Sequence, residues 1–163
     1  MLNSPRIPRG VSLLELLVSL VIISLLASVA LPYAEITVRR DKEIELRQSL
    51  RQIRTAIDRF HEDWKAGRIT PETGVVSVDG YPQTLKVLVE GVDLADATGT
   101  RRYYLRRIPR DPFADQEVEP ADQWVLRSYQ DDPETLLWGG RDVFDVRTGY
   151  TGTAIDGSSY SDW

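Results

Sequence analysis

The residue types that most often carry out chemistry in proteins are scarce in this sequence. There is no cysteine, which excludes thiolate catalysis and a cysteine-rich zinc site. His61 is the only histidine and lies among charged residues, so we predict a solvated position rather than a catalytic one. The aspartate pairs Asp131/Asp132 and Asp111/Asp115 flank prolines or turns, where carboxylates usually cap backbone amides. With no phosphate-binding glycine loop or nucleophile elbow, the sequence predicts a protein that is not an enzyme.

Glu15 is an acidic residue within a long apolar segment, a setting in which a carboxylate requires a partner. The run from Val11 to Leu31 has Glu15 as its single charged residue and is long enough to cross a hydrocarbon core of roughly 30 Å. An acidic side chain at the centre of a membrane helix costs about 2.5 to 3.5 kcal/mol, so a partner for Glu15 is expected. Arg6 and Arg9 precede the run and would keep the N-terminus cytoplasmic, with the rest of the chain outside.

The element that presents Glu15 is predicted to be one long helix, from about Ser12 to Ala66, with at most a kink at Pro32. Apolar residues recur at intervals of three and four from Leu46 to Trp64, which indicates an amphipathic helix with one apolar face. Opposite charges at i,i+4 cover the other face, and Gly67 is a typical helix stop. The second half of this helix therefore needs a domain to cover its apolar face.

Residues 67–163 supply that domain. Thr84 to Val92 has the apolar spacing of a short helix, while Gln123 to Tyr129 and Asp142 to Gly149 alternate as half-buried strands do. Two or three antiparallel strands on the polar half of a long helix make an α+β fold. The net charge is -5 and basic residues are interleaved with acidic ones, so no nucleic-acid partner is predicted.

The N-terminus allows two interpretations from its residues alone. An ordinary secretory signal peptide could end at the small-x-small sequence Ser28-Val29-Ala30. Three features count against it: the apolar run is longer than is usual for such a signal, it contains Glu15, and the helical pattern continues beyond Ala30. Mass spectrometry of the mature N-terminus would separate the two.

RGVSLLELLVSLVIISLLASVALP resembles the class III signal segment of type IV pilins and type II secretion pseudopilins. The resemblance implies that a prepilin peptidase cuts after Gly10 and methylates the new N-terminus at Val11, where this family usually has phenylalanine. It also implies that Glu15 is the assembly residue. The physical chemistry agrees, because the new α-amine is cationic at neutral pH and can pair with Glu15 of a neighbouring subunit. The predicted organisation is a cleaved leader over 1–10, a transmembrane and filament-core helix over 11–32, its amphipathic continuation over 33–66 and the exported domain over 67–163.

Three downstream stretches are similar to the G-type major pseudopilins, namely YPQTLKVLVEG, YYLRRIPRDPF and DVFDVRTGYTGTAIDGSSYSDW. The resemblance implies a pilin-like fold and a structural subunit of a periplasmic pseudopilus in the inner membrane. The implied partners are further copies of itself in a helical homopolymer, minor pseudopilins, the prepilin peptidase, the inner-membrane secretion platform and membrane lipid. A minor pseudopilin or a type IV pilin remains an alternative, although pilins usually carry a disulfide here. A periplasmic binding protein or enzyme with an ordinary signal peptide is the alternative from another class.

In the G-type branch the C-terminal loop holds a structural calcium ion. Asp145, Asp156 and Asp162 are the best-matched carboxylates, and such a metal could replace a disulfide as a staple. The loop departs from the branch by having fewer acids and an additional Tyr160. No cofactor is required by this interpretation, and calcium at these three aspartates is an expectation that follows from the resemblance.

Overall fold

The computed structural model describes residues 11–70, 74–95, 99–135 and 137–163, apart from the side chains at 29–32 and 34. Within these residues the chain forms two α-helices, four short strands and two single-turn 3₁₀ helices. In chain order they are α1 (Leu13–Lys65), α2 (Leu85–Glu90), β1 (Val92–Asp93), β2 (Arg101–Arg102), a 3₁₀ turn (Pro120–Asp122), β3 (Trp124–Arg127), β4 (Asp145–Thr148) and a second 3₁₀ turn (Tyr160–Asp162). The predicted α+β class, with a long N-terminal helix and small antiparallel sheets, is confirmed.

The chain divides into two units, residues 1–39 and residues 40–163. In the first unit every described residue from Val11 to Ser28 is exposed, including Leu13 at 81 % and Leu14 at 71 %. The hydroxyls of Ser24 and Ser28 donate to backbone carbonyls of the same helix at 2.8 Å. Among the described residues, no helix combines the length and the hydropathy needed to cross a membrane.

The second unit is built around the last part of α1. The apolar face predicted from the three-and-four spacing is its core. Trp64 at its end is half-buried, and the other five side chains that define it are at most 2 % exposed: Leu46, Leu50, Ile53, Ile57 and Phe60. The helix ends at Lys65, and the Gly67 N–H donates to the Trp64 carbonyl at 2.9 Å. Leu85, Leu88 and Val92 from the following elements pack on this face.

Two antiparallel ladders complete the unit. β3 pairs with β4 in the register Trp124↔Thr148 to Arg127↔Asp145, which confirms both strands predicted from alternation, although each is only four residues long. β1 pairs with β2, with Val92 opposite Arg102. This second ladder was not predicted, because two residues are too few for an alternating pattern.

His61 is not solvated, so that prediction is wrong. Its ring is half-buried, stacks on Tyr81 with centroids 4.1 Å apart, and lies 5.8 Å from the ring of Trp64. The His61 Nδ1 is 3.1 Å from the Gly80 carbonyl oxygen. The segment containing Gly80 and Tyr81 covers this side of α1, and no local sequence pattern around His61 indicates that contact.

Candidate functional site

Glu15 lies in the first turn of α1, and the start of that helix is capped. The Ser12 Oγ accepts a hydrogen bond from the Glu15 backbone N–H at 3.2 Å, so Ser12 is the N-cap and Glu15 occupies the third helical position. Ser-x-x-Glu is the capping-box pattern, so the sequence itself contains a signal for this cap. A carboxylate here is also favoured by the helix dipole. Glu15 therefore has a local reason to be acidic, independent of the assembly role that the resemblance implies.

The Glu15 side chain nevertheless has no charged partner in the described part of the chain. It is exposed, and no ion pair joins it to any described residue. Its neighbours Leu14 and Leu16 are 71 % and 61 % exposed. A helix that is apolar on all sides must be covered by lipid or by other apolar helices, and an unpaired carboxylate in that setting needs a cation.

The predicted processing site is described only in part. Gly10 and the rest of the leader over 1–10 lie outside the described residues, whereas Val11 is 61 % exposed. Cleavage after Gly10 would make Val11 the N-terminal residue, just before Ser12. The roles assigned to Gly10 and Val11 remain predictions.

The structure places the three aspartates of the predicted calcium site in separate interactions. Asp145 lies between two arginines, with its Oδ1 2.7 Å from Arg54 Nε and its Oδ2 3.1 Å from Arg127 Nη2. Asp156 lies 3.2 Å from Arg47 Nη2. Hydrogen bonds from the side chain and backbone of Ser158 lower the pKa of Asp156.

This arrangement does not supply the set of oxygen ligands that calcium requires. Both oxygens of Asp145 already face guanidinium groups, and the Asp162 carboxylate accepts a hydrogen bond from Ser161. In the parts of the chain that the structure describes, no three His, Cys, Asp or Glu side chains are grouped so as to hold a metal ion. Calcium at these residues therefore rests only on the resemblance, and the placement of the three carboxylates argues against it.

The C-terminal segment is attached to α1 by polar contacts from two helix residues one turn apart. Glu43, only 5 % exposed, accepts hydrogen bonds from the Ile155 N–H at 2.8 Å and the Tyr160 hydroxyl at 2.7 Å. The guanidinium of Arg47 lies 3.9 Å from the ring centroid of Trp163. The sequence predicted Glu43 on the charged face of the helix, as an i,i+4 partner of Arg47, because an acid on such a face does not show which segment will pack over it.

A second buried carboxylate lies near the end of α1. Asp63 is 2 % exposed and accepts hydrogen bonds from Arg68 at 2.8 and 2.6 Å and from the Tyr104 hydroxyl at 2.8 Å. Arg102 approaches it at 3.0 Å. Burial acts to raise the pKa of Asp63, but the hydrogen bonds from Tyr104 and Arg68 and the charges of Arg102 and Arg68 outweigh it, and the pKa is lowered. Burial and the bond to Asp63 raise the pKa of Tyr104.

Comparison with known proteins bears on the N-terminal part of the chain. Residues 6–31 match the family model described as the prokaryotic N-terminal methylation motif, a range that contains Gly10, Val11 and Glu15. Comparison with curated proteins and with solved structures found no match. The chain thus carries a methylation motif of the prepilin type, which supports a relationship to type IV pilin-like proteins.

Proposed function

We propose that this chain is a structural, non-catalytic subunit of a periplasmic pseudopilus of a type II secretion system. The observation that carries the proposal is the methylation motif over residues 6–31, which overlaps the start of α1, where all described residues from Leu13 to Ser28 are exposed. In this proposal the prepilin peptidase cleaves after Gly10 and methylates Val11. The apolar run then holds the subunit in the inner membrane, with residues 40–163 in the periplasm.

Assembly would follow from the chemistry of the new N-terminus. The α-amine on Val11 is a cation at neutral pH, and the Glu15 carboxylate of an adjacent subunit is its complement. Packing the exposed leucines of many subunits together removes their apolar surface from solvent or lipid, while the amine and carboxylate set the axial position of each helix. The minor pseudopilins and the secretion platform are the further partners that this proposal requires.

The test replaces Glu15 by glutamine, which has nearly the same size and can still serve in the capping box but carries no charge. Removing one partner from a buried ion pair costs about 3 to 5 kcal/mol, which corresponds to at least about a hundredfold in subunit association. We expect Glu15→Gln to be cleaved after Gly10 as the wild type is, yet to give far fewer filaments. Filament yield is measured by shearing and sedimentation, and cleavage by mass spectrometry of the mature N-terminus.

Glu35→Gln is the matched control, because Glu35 is an exposed acid on the same helix, outside the apolar run. Equal filament yields from the two variants would refute the pairing of Glu15 with the amine. A mature chain that begins at Leu31 would overturn the filament proposal altogether and establish an ordinary signal peptide. A methylated N-terminus at Val11 is the expected result.

A further inference from the structure

Two adjoining cavities lie against the last part of α1, within the unit 40–163. They measure about 690 and about 560 Å³, and Gln48, Gln52 and Arg106 line both of them. Arg107, from the segment that follows β2, and the 3₁₀ turn at Pro120 line the larger cavity. Together the two cavities form one continuous surface, which we call the arginine groove.

The arginine groove is positively charged on an acidic protein. Its lining contains three acidic side chains and six cationic ones, a net charge of +3 on a chain whose net charge is -5. The cations are Arg51, Arg59, Lys86, Arg106, Arg107 and Arg110. Arg51, Arg59, Arg106 and Arg107 make no ion pair with any described residue. Their charge is therefore available to an acidic partner.

The groove also has an apolar component. Val89, Ile108 and Pro120 are half-buried in the lining of the larger cavity, beside the arginines. An occupant that complements both features must carry carboxylates next to an apolar side chain. A free inorganic anion would leave the apolar part of the groove uncovered.

The same chain presents such a combination in the connection between β3 and β4. Asp132 and Glu134 are exposed there, and neither makes an ion pair with any described residue. Leu137, in the same connection, is 82 % exposed. We call Asp132, Glu134 and Leu137 the acidic tip. It combines a large exposed apolar side chain with two carboxylates that make no ion pair with any described residue, and these features complement the arginines and the apolar part of the groove.

We propose that the arginine groove of one subunit receives the acidic tip of a second copy of this chain. The contact joins two different surfaces, so a subunit whose groove is filled still has its own tip free for another subunit. Repetition of such a heterologous contact gives an open chain of subunits rather than a closed dimer. The inference rests on the proposed function, in which the chain polymerises, and identifies an electrostatic contact between the 40–163 units of neighbouring subunits.

The absence of native cysteine makes the contact testable by disulfide trapping of the full-length chain in cells. Gln52→Cys lies in the groove and Leu137→Cys in the tip, and a disulfide requires Cα atoms within about 7 Å. With both substitutions in one chain, we expect a ladder of disulfide-linked multimers after oxidation. Either substitution alone can give no species larger than a dimer.

Charge reversal tests the chemistry of the contact. On the double-cysteine background, Arg107→Glu and Glu134→Arg should each reduce the ladder at least about threefold, because like charges then face each other. The two reversals combined should restore it. Lys65→Glu is the matched control, since Lys65 is an exposed cation outside the groove lining, and it should leave the ladder unchanged.

The outcomes separate this inference from the proposed function on which it rests. Abundant wild-type filaments together with no ladder, or with no rescue by the combined reversal, would overturn the groove contact alone. Disulfides formed only within one chain, or only with a different protein, would also overturn it. Absence of wild-type filaments would instead overturn the proposed function.

Discussion

Replacing Asp63 by asparagine is expected to destabilise the unit 40–163 through one identifiable cluster. The wild-type carboxylate is 2 % exposed and is neutralised by Arg68 and Arg102, with a further hydrogen bond from Tyr104. Asparagine has nearly the same shape but carries no charge and presents an amide N–H₂ group to guanidinium donors. The substitution therefore creates a donor facing donors in a buried position and leaves two arginines without their anion.

The size of the expected loss in stability depends on how deeply the charged partners are buried. Removing one partner of a fully buried ion pair costs about 3 to 5 kcal/mol. Here Arg68 and Arg102 are 53 % and 44 % exposed, so water can solvate them after the change and the cost is smaller. A hydrogen bond to a charged group is worth about 1.5 to 3 kcal/mol. We therefore expect a loss of about 2 kcal/mol in the free energy of unfolding, which lowers the melting temperature by roughly 6 to 10 °C.

The assay is urea and thermal unfolding of the full chain in mild detergent, followed by near-UV circular dichroism and tryptophan fluorescence. The pH dependence provides a second readout. Because the pKa of Asp63 is lowered on folding, its charge contributes stability above the unfolded-state pKa of about 3.9. That contribution is lost as the pH falls through the lower folded-state pKa. In strong acid, the free energy of unfolding of the wild type should therefore no longer exceed that of Asp63→Asn.

Asp58→Asn is the control, because it makes the same chemical change at an exposed position of the same helix. It should alter the free energy of unfolding by less than about 0.5 kcal/mol. If Asp63→Asn and Asp58→Asn have equal effects, or if the difference between Asp63→Asn and wild type is the same at pH 7 and pH 2, the reasoning about the buried carboxylate is refuted.

Two further predictions concern the packing of the same unit and the C-terminal segment. Gly80 and Gly74 both have a positive φ. A Cβ added at Gly80 would lie 2.1 Å from the Trp64 ring, whereas a Cβ added at Gly74 would have no atom within 4 Å. Gly80→Ala should therefore lower the melting temperature well beyond Gly74→Ala, and equal shifts would contradict the predicted clash. Because Arg54 and Arg127 already neutralise Asp145, we expect the same melting temperature in calcium and in chelator. A calcium-dependent rise that Asp145→Asn abolishes would establish the calcium site instead.

The regular elements of the chain were largely predictable because they repeat a local pattern. The three-and-four spacing from Leu46 to Phe60 marks the buried face of α1, and alternation marks β3 and β4. The N-terminal methylation motif was equally accessible, since it is a short linear sequence. The helix N-cap at Ser12 is also predictable from the Ser-x-x-Glu pattern.

The polar contacts of the unit 40–163 were not predictable in the same way. Glu43 meets Ile155 and Tyr160 more than a hundred positions away, and Arg54 meets Asp145 across 91 positions. The i,i+4 rule pairs these side chains with neighbours on their own helix, and only the packed chain shows that other partners compete successfully. The same holds for His61, whose stacking on Tyr81 depends on a loop that covers the helix.

The long helix, the class of the fold and the N-terminal methylation motif follow from the sequence, because each depends on neighbouring residues in the chain. Tertiary structure alone decided which acids are buried with partners, as Glu43 and Asp63 are, and which are left exposed, as Asp132 and Glu134 are. It also decided that Asp145 faces two arginines. The physical reason is that the state of a carboxylate depends on the charges and donors that folding brings within a few ångströms, and residues distant in the chain provide most of them.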